Sequence, residues 1–207
     1  MRAVFRLRMT RLAVFAFASM AIAAAASLCG SNPPLWPDQF MLVQRKVVDP
    51  GAEGGPNVNA TTVTHYDWQR RVNLIQISPD GNNSDVLHDL ELGTGKSFYF
   101  TPTRRACTPV NFSVGILRPD WLSNATYLGV VRPAAIGRPV RAWTKADFID
   151  YYADVETCEP VAWYFHSMRA WFHTVLYVPD AQVPDLLWFE PPNYCSSSTN
   201  STGSINV

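Results

Sequence analysis

The stretch Leu90–Phe100 reads LELGTGKSFYF. Strand-like residues flank Gly93–Gly95, and glycines in such a position take the positive φ angles that a tight turn needs. GTGKS also resembles the end of a phosphate-binding loop. That loop, however, needs an earlier glycine where this chain has Leu90, and a helix where it has the aromatic run Phe98–Phe100. The stretch therefore predicts a β-hairpin with Lys96 in a solvated turn, and no nucleotide site.

Strand-like runs recur on both sides of this hairpin and are separated by turn residues. They are Gln39–Val48, Thr61–Trp68, Val72–Ser78, Asp85–Leu92, Ser97–Thr101, Thr126–Val131, Val161–His166 and Trp171–Val178. Short strands at this spacing, without alternating helices, predict an antiparallel sheet.

One helix is expected after Trp143. Thr144 and Asp147 have the spacing of a capping box, and Trp143 and Phe148 occupy the two positions of a hydrophobic staple. The apolar stripe has helical spacing and consists of Phe148, Tyr151, Tyr152 and Val155. We expect this helix to cover one face of the sheet.

The N-terminus has the pattern of a secretory signal peptide, with four arginines before an apolar run that ends in small residues. We expect a signal peptide over residues 1–28, one β domain over 29–195 and a mobile Ser/Thr/Asn-rich tail over 196–207. The whole chain carries 17 basic and 17 acidic residues, so loss of the four leader arginines leaves 13 against 17, a net charge of −4. This balance argues against a nucleic-acid partner, and the leader predicts a secreted protein or one in an endomembrane lumen such as a vacuole or lysosome-like compartment.

Secretion changes the meaning of the four cysteines, Cys29, Cys107, Cys158 and Cys195. In an oxidising compartment they predict two disulfides, and the residues alone leave all three connectivities open. Five N-x-S/T sequons predict a glycosylated surface, at Asn59, Asn82, Asn111, Asn124 and Asn200. Asn124 follows a turn region and should be exposed, whereas Phe112 and Val114 beside Asn111 look buried.

Catalytic signatures are missing from the sequence. The four histidines (His65, His88, His166 and His173) and the acidic pair Asp89 and Glu91 lack metal-ligand spacing, and no nucleophile elbow or H-E-x-x-H motif occurs. We therefore expect no catalytic residue and no cofactor, and leave any metal ligands unassigned.

Aromatic residues on or beside the strands are the stronger signal. They fit either a well-filled core or a curved sheet around an apolar cavity for a lipid-like ligand. We expect the cavity, bordered by Phe98, Phe100, Trp163, Phe165 and Phe172 and covered by Phe148 and Tyr152 of the helix, with the face that each takes left open.

From Cys107 to Cys195 the chain resembles the ependymin family of secreted glycoproteins. The residues that carry the resemblance are Cys107, Asn124–Gly129, Trp143, Thr157–Val161 and Phe189–Cys195, and Cys29 followed by Pro33–Trp36 is similar to the opening of that family. The chain is also similar to an uncharacterised group of secreted plant proteins, through Trp36–Phe40, Tyr66–Trp68, Asp89–Glu91, Ser97–Phe100 and Gly115–Trp121. Some members of that group carry a provisional glycosyltransferase label.

The ependymin resemblance implies two stacked antiparallel sheets, a half barrel like that of bacterial lipoprotein carriers, with one or two covering helices around an apolar pocket. It implies the disulfides Cys29–Cys158 and Cys107–Cys195. It also implies a hydrophobic small-molecule or lipid ligand and a tendency to form a homodimer, and it leaves calcium binding open.

The sequence thus favours a secreted, glycosylated, disulfide-linked protein that binds a hydrophobic ligand without chemistry. A carbohydrate-active enzyme of the cell wall or vacuole is one alternative, and an extracellular-matrix adhesion protein is another. The binder needs an apolar pocket and the enzyme needs facing carboxylates, whereas the adhesion protein needs neither.

Overall fold

The computed structural model describes residues 30–52, 57–80, 85–181 and 189–195. Its eleven strands are β1 Gln39–Val48, β2 Ala60–Asp67, β3 Val72–Pro79, β4 Leu87–Leu92, β5 Lys96–Thr101, β6 Ala106–Asn111, β7 Thr126–Val131, β8 Val140–Lys145, β9 Ile149–Ala153, β10 Pro160–Phe165 and β11 Ala170–Pro179. A short 3₁₀ turn follows at Asn193–Cys195. The expected mainly β, antiparallel fold is confirmed, and no helix in the described ranges is long and apolar enough to cross a membrane.

All eleven strands belong to one sheet, with the order β6-β5-β4-β3-β2-β1-β11-β10-β9-β8-β7. Each strand pairs with its neighbour in sequence, except that β6 and β7 do not pair with each other. β1 also pairs with β11 and so joins two meanders. The two stacked sheets that the resemblance implies are therefore replaced, in the described residues, by a single wide sheet. Its edges, β6 and β7, are consecutive in the chain.

Strand alternation gives the sheet two faces, which we name after one residue each. The Leu42 face carries the even residues of β1, and through the register it continues into Tyr66 of β2 and Tyr151 of β9. The Leu74 face carries the opposite set, including Leu90 of β4 and Ala142 of β8. Both faces have buried apolar clusters, so both are covered by other parts of the chain.

The loop between the two edge strands covers the Leu42 face. Ile116 packs with Phe40, Leu42 and Tyr66, while Leu122 packs with a cluster around Trp143. A flat sheet of eleven strands would hold its edges about 48 Å apart. Residues 112–125 include hydrogen-bonded turns and could reach that far only if fully extended, at about 3.4 Å per residue. The sheet therefore curls with its Leu42 face inward.

The C-terminal segment 189–195 covers part of the Leu74 face. Phe189 and Cys195 pack with Leu74, Leu90 and Phe100. The Cys107–Cys195 disulfide attaches this segment to edge strand β6, which is the pairing that the resemblance implies. Cys158 is also disulfide-bonded, and its expected partner, Cys29, lies outside the described residues.

The prediction of a helix after Trp143 is wrong. The chain forms the hairpin β8–β9 instead, and Ala146 and Asp147 at its turn have φ angles of 54° and 51°. Two such residues make the turn that matches the twist of antiparallel strands, with the Phe148 N–H donating to the Lys145 carbonyl oxygen. Val155 lies beyond β9, in the turn before Pro160. Neither the capping box nor the covering role therefore applies.

The apolar residues whose spacing suggested a helix do not share one face of the sheet. Tyr151 faces Trp143 across the hairpin on the Leu42 face, whereas Tyr152 faces Ala142 on the Leu74 face. Phe148 lies at the turn and is 53% exposed. Aromatic residues favour strands because they pack well on a pleated surface, and here this preference outweighs a helical spacing.

The hairpin expected at Leu90–Phe100 is confirmed. β4 and β5 pair in register, with Glu91 opposite Ser97. Gly95 has a φ of 86°, and a side chain there would lie 2.6 Å from the Phe112 carbonyl oxygen. Lys96 is exposed beside this turn.

Three of the sequons lie in the described residues. Asn124 is exposed with a φ of 65°, as expected for a turn. Asn111 is exposed too, and the expectation that its neighbours are buried is wrong, since Phe112 is 40% and Val114 is 70% exposed. Asn59 is half-buried, and its amide oxygen accepts a hydrogen bond from the Val48 N–H. The signal peptide, Asn82, Asn200 and the tail lie outside the described residues.

Candidate ligand site on the Leu42 face

Four of the seven expected pocket residues come together on β10, on β11 and at the β8–β9 turn. Trp163 and Phe172 are cross-strand partners on the Leu42 face. The Phe165 ring lies 5.3 Å from the Phe172 ring and 5.3 Å from the Phe148 ring, edge to face in both cases. We call these four side chains the aromatic patch.

One end of this patch, Trp163, packs against the buried clusters that include the loop residues Ile116 and Leu122. Trp163 contacts the buried aromatic cluster, with its ring 5.9 Å from those of Trp36 and Tyr151. Phe165 and Phe172 are not members of that cluster and are half-buried. Contact between such an apolar surface and water is unfavourable, and a hydrophobic ligand could lie against it.

The other expected pocket residues lie on the opposite face. Phe98 and Phe100 project from the Leu74 face of β5, and Tyr152 stacks on Trp171 with ring centroids 5.4 Å apart. The seven residues therefore do not line one cavity.

Phe100 instead borders a groove of about 390 Å³ under the C-terminal segment. Leu74 and Phe100 form its floor, Pro192 and Tyr194 border it, and His88 adds an imidazole. A second groove of about 490 Å³ lies near the bulge between β1 and β11, beside the Arg138–Asp154 ion pair. Neither groove is bordered by the aromatic patch.

Lys46 is the cross-strand partner of Phe172, a member of the aromatic patch. It alternates with Phe40, Leu42, Gln44 and Val48 on the buried side of β1 and is only 9% exposed. Its cross-strand partners on the Leu42 face are Phe172 of β11 and Ala60 of β2. Burial lowers the pKa of its amine, and no acidic group in the described residues opposes that effect.

Polar side chains occupy the neighbouring row of the sheet. Gln44 lies between Thr174 of β11 and Thr62 of β2, and its amide nitrogen donates to the Phe172 carbonyl oxygen at 3.4 Å. The hydroxyls of Thr62 and Thr174 are buried, and neither has a hydrogen-bond partner in the described part of the chain. Such unmet groups cost about 1–3 kcal/mol each.

A buried acidic pair lies three strands away from β1. Asp89 and Glu91 share the Leu42 face of β4, and Asp89 is 7% exposed. The Asn73 amide donates to Glu91 at 2.8 Å, and the Tyr99 hydroxyl donates to Asp89. Burial first and the Glu91 charge second raise the pKa of Asp89 to about 8, and burial also raises the pKa of Glu91. Asp89 is therefore mainly protonated at neutral pH.

The histidines do not join this acidic pair. His88 is adjacent to Asp89 in sequence but projects from the Leu74 face, as do His65 and His173. His166 lies in a turn and pairs with Asp150 at 3.2 Å. Across ranges 30–52, 57–80, 85–181 and 189–195, no group of three or more His, Cys, Asp or Glu side chains is placed to hold a metal ion.

Sequence reasoning did not single out Lys46, Thr62 and Thr174, which the structure places on or beside the row of the sheet that contains Gln44. A signal for Lys46 was present, because strict alternation along Gln39–Val48 places it among the buried positions. No local signal marks the two threonines, since their proximity depends on the pairing of β1 with β11.

Comparison with curated proteins gives no match. Comparison with solved structures gives 25 matching chains. One is a crystal structure of an uncharacterized conserved protein from Thermus thermophilus, with a TM-score of 0.50 and 8% sequence identity. The match covers 76% of this chain and 87% of that one, and at this identity it shows a similar fold alone. Comparison with protein families matches residues 35–195 to the family described as Domain of unknown function (DUF8395), and because this range spans most of the sequence, the chain belongs to that family.

Proposed function

We propose that this is a secreted, glycosylated and disulfide-linked protein that binds a hydrophobic, lipid-like ligand on its Leu42 face without chemical conversion. The observation that carries the proposal is the aromatic patch, which is half-buried beside the part of the Leu42 face that the loop covers. The leader pattern and the sequons support export and glycosylation, and the Cys107–Cys195 disulfide fits an oxidising compartment.

Affinity would come from burial of apolar surface. Each methylene group removed from water contributes about 0.8 kcal/mol, so a single alkyl chain lying along Phe165 and Phe172 gains affinity with its length. The rings are held by neighbours within the sheet, so little side-chain freedom is lost on binding.

The first experiment is native mass spectrometry of the secreted protein, to detect a co-purifying lipid. The second is titration with 1-decanol while following tryptophan fluorescence, because Trp163 belongs to the patch. Phe172→Ala should weaken decanol binding about tenfold, which corresponds to about 1.4 kcal/mol of lost contact. Phe100→Ala is the matched control, because it removes the same ring from the groove on the opposite face.

The proposal fails if the wild-type protein binds neither a co-purifying lipid nor decanol. Loss of binding in Phe100→Ala with none in Phe172→Ala would move the site to the groove under the C-terminal segment.

The buried acidic pair favours a second candidate, a carbohydrate-active enzyme. Groups with strongly raised pKa values occur at many active sites, and a protonated Asp89 beside Glu91 could act as an acid–base pair. Hydrolysis or transfer of a glycan by the wild-type protein, lost in Asp89→Asn, would support this candidate. Unchanged turnover in Asp89→Asn would reject this pair as its machinery.

A further inference from the structure

We propose that N-glycans on Asn111 and Asn124 cover exposed apolar residues on edge strand β7 and in the loop before it, and so prevent this edge of the sheet from pairing with a second copy of the chain. This inference rests on the proposed function, because it needs export and glycosylation, and it assigns a role to two of the glycans.

The first support is the distribution of exposed apolar side chains. Of the eleven large hydrophobic side chains that are exposed in the described residues, five lie in the segment from the end of β6 to β7. They are Phe112, Val114 and Leu117 in the loop, and Leu128 and Val130 on β7. Val114 is 70% exposed and Val130 is 55% exposed. Contact of so many apolar side chains with water is unfavourable and favours association unless something covers them.

The second support is the edge itself. β7 pairs with β8 on one side, and no strand in the described part of the chain pairs with its other side. The other edge strand, β6, contains Pro109, which lacks an N–H, and its Cys107 is bonded to the C-terminal segment. The sequence of β7, TYLGVV, contains neither a proline nor a charged residue, and a bulge at Leu128 is its one interruption. An edge strand with so little protection is a template for another chain.

A second copy of this chain fits that template. Antiparallel pairing about a two-fold axis lets the same strand of each copy donate and accept equivalent hydrogen bonds. Because β7 carries no charge, two copies placed side by side have no like-charge repulsion between their paired side chains. Self-pairing is therefore the association that a cover on this edge has to prevent.

The third support is the position of the two sequons. Asn111 is the last residue of β6 and directly precedes Phe112, and Asn124 lies two residues before β7 begins. Both asparagines are exposed, whereas Asn59 is half-buried and its amide oxygen is hydrogen-bonded to the chain. Leu128 lies four residues beyond Asn124, which is at most about 14 Å along an extended chain. A bulky glycan on each of the two exposed asparagines therefore starts beside the exposed apolar residues.

The test removes the sequons without changing the asparagines, in protein secreted by a eukaryotic host. Thr126→Ala destroys the Asn124 sequon and Ser113→Ala destroys the Asn111 sequon, and both side chains are exposed. Thr126→Ser and Ser113→Thr keep the sequons and are the matched controls. We expect light scattering to give the double alanine variant at least about twice the protein molar mass of the wild type at equal concentration, whereas the double control keeps the wild-type mass.

Two further measurements separate this association from misfolding. Removal of the glycans from folded wild-type protein with an endoglycosidase should give the same increase in molar mass. Adding Val130→Lys to the double alanine variant should restore the wild-type mass, because a lysine on an edge strand opposes pairing.

The other outcomes overturn the inference in distinguishable ways. An unchanged molar mass after loss of both glycans would overturn it and leave the proposed function standing, and so would association in the variant that enzymatic removal does not reproduce. Association that persists after Val130→Lys would overturn the role of β7. Wild-type protein without a glycan at either asparagine would overturn the inference together with the glycosylation that the proposed function includes.

Discussion

Replacing Asp89 with asparagine should stabilise the fold at neutral pH and have little effect in acid. In the folded protein the pKa of Asp89 is raised to about 8, mainly by burial and then by the charge of Glu91. In the unfolded chain an aspartate titrates near pH 4. Folding therefore requires proton uptake at neutral pH, and the stability present below about pH 4 is lost as the pH rises toward the folded-state pKa.

The size of the expected gain in stability follows from the pH range between the unfolded-state pKa and neutrality. About three pH units separate the unfolded-state pKa from neutrality, and each unit corresponds to about 1.4 kcal/mol, so Asp89→Asn should gain up to about 4 kcal/mol at pH 7. The asparagine keeps an oxygen that can accept the hydrogen bond from the Tyr99 hydroxyl.

Urea unfolding of the wild type and the variant, followed between about pH 3.5 and pH 8, measures this gain. Asp80→Asn provides a control of opposite sign, because the exposed Asp80 pairs with Arg45, which lowers the pKa of Asp80. The stability contributed by that pair is present above the unfolded pKa and is lost as the pH falls. A gain for Asp89→Asn that is equal at all pH values, or a loss at neutral pH, would refute the reasoning.

Three further predictions concern local features. Gly95→Val should destabilise the fold by about 2–3 kcal/mol in thermal unfolding, because it places a branched side chain at positive φ against the Phe112 carbonyl oxygen, whereas Lys96→Ala should change stability by less than about 0.5 kcal/mol. A loss of stability in Lys96→Ala as large as that in Gly95→Val would contradict the prediction that Lys96 is a solvated turn residue. Peptide mapping of the secreted protein should find a glycan at Asn124, which is exposed, and its absence there would count against export with glycosylation. Paired Cys107→Ser and Cys195→Ser substitutions should cost up to about 4 kcal/mol and make the C-terminal segment sensitive to protease, and an unchanged cleavage pattern would show that packing alone holds it.

Most strands could be predicted because alternation and turn residues are local signals. Gln39–Val48 and Thr126–Val131 match the observed strands at both ends. Strand β6 was missed, since Pro109 interrupts its pattern, and the structure places that proline on an edge strand, where a missing N–H is tolerated.

The β8–β9 hairpin could not be separated from a helix by spacing alone. Residues at i, i+3 and i+4 share a helix face, but the same aromatic residues also favour strands. The deciding feature is the turn, where Ala146 and Asp147 both take positive φ, and such angles are unusual for residues with a side chain.

The types of residue at the candidate site could be predicted from the sequence, but their arrangement on the sheet could not. Trp163 and Phe165 alternate on one strand, so their shared face follows from sequence. Whether Phe100 joins them depends on the register through the five intervening strands, β1 among them, and it lies on the other face. A shift of one residue in any of these pairings would exchange the two faces, which no local pattern reveals.

The pairing of β1 with β11 has a consequence for how the chain folds. Gln44 and Phe172 are 128 positions apart in the chain, yet they meet at the centre of the sheet. Contacts of this separation slow folding, because the entropy of closing a long loop is lost before the contacts can stabilise the fold. At synthesis rates of about 5–20 residues per second, the edge of β1 that pairs with β11 stays unpaired for roughly 6–25 s before β11 is synthesised. During that interval β1 is an open template for other chains, so we expect the newly made protein to depend on a chaperone that shields this edge until β11 emerges.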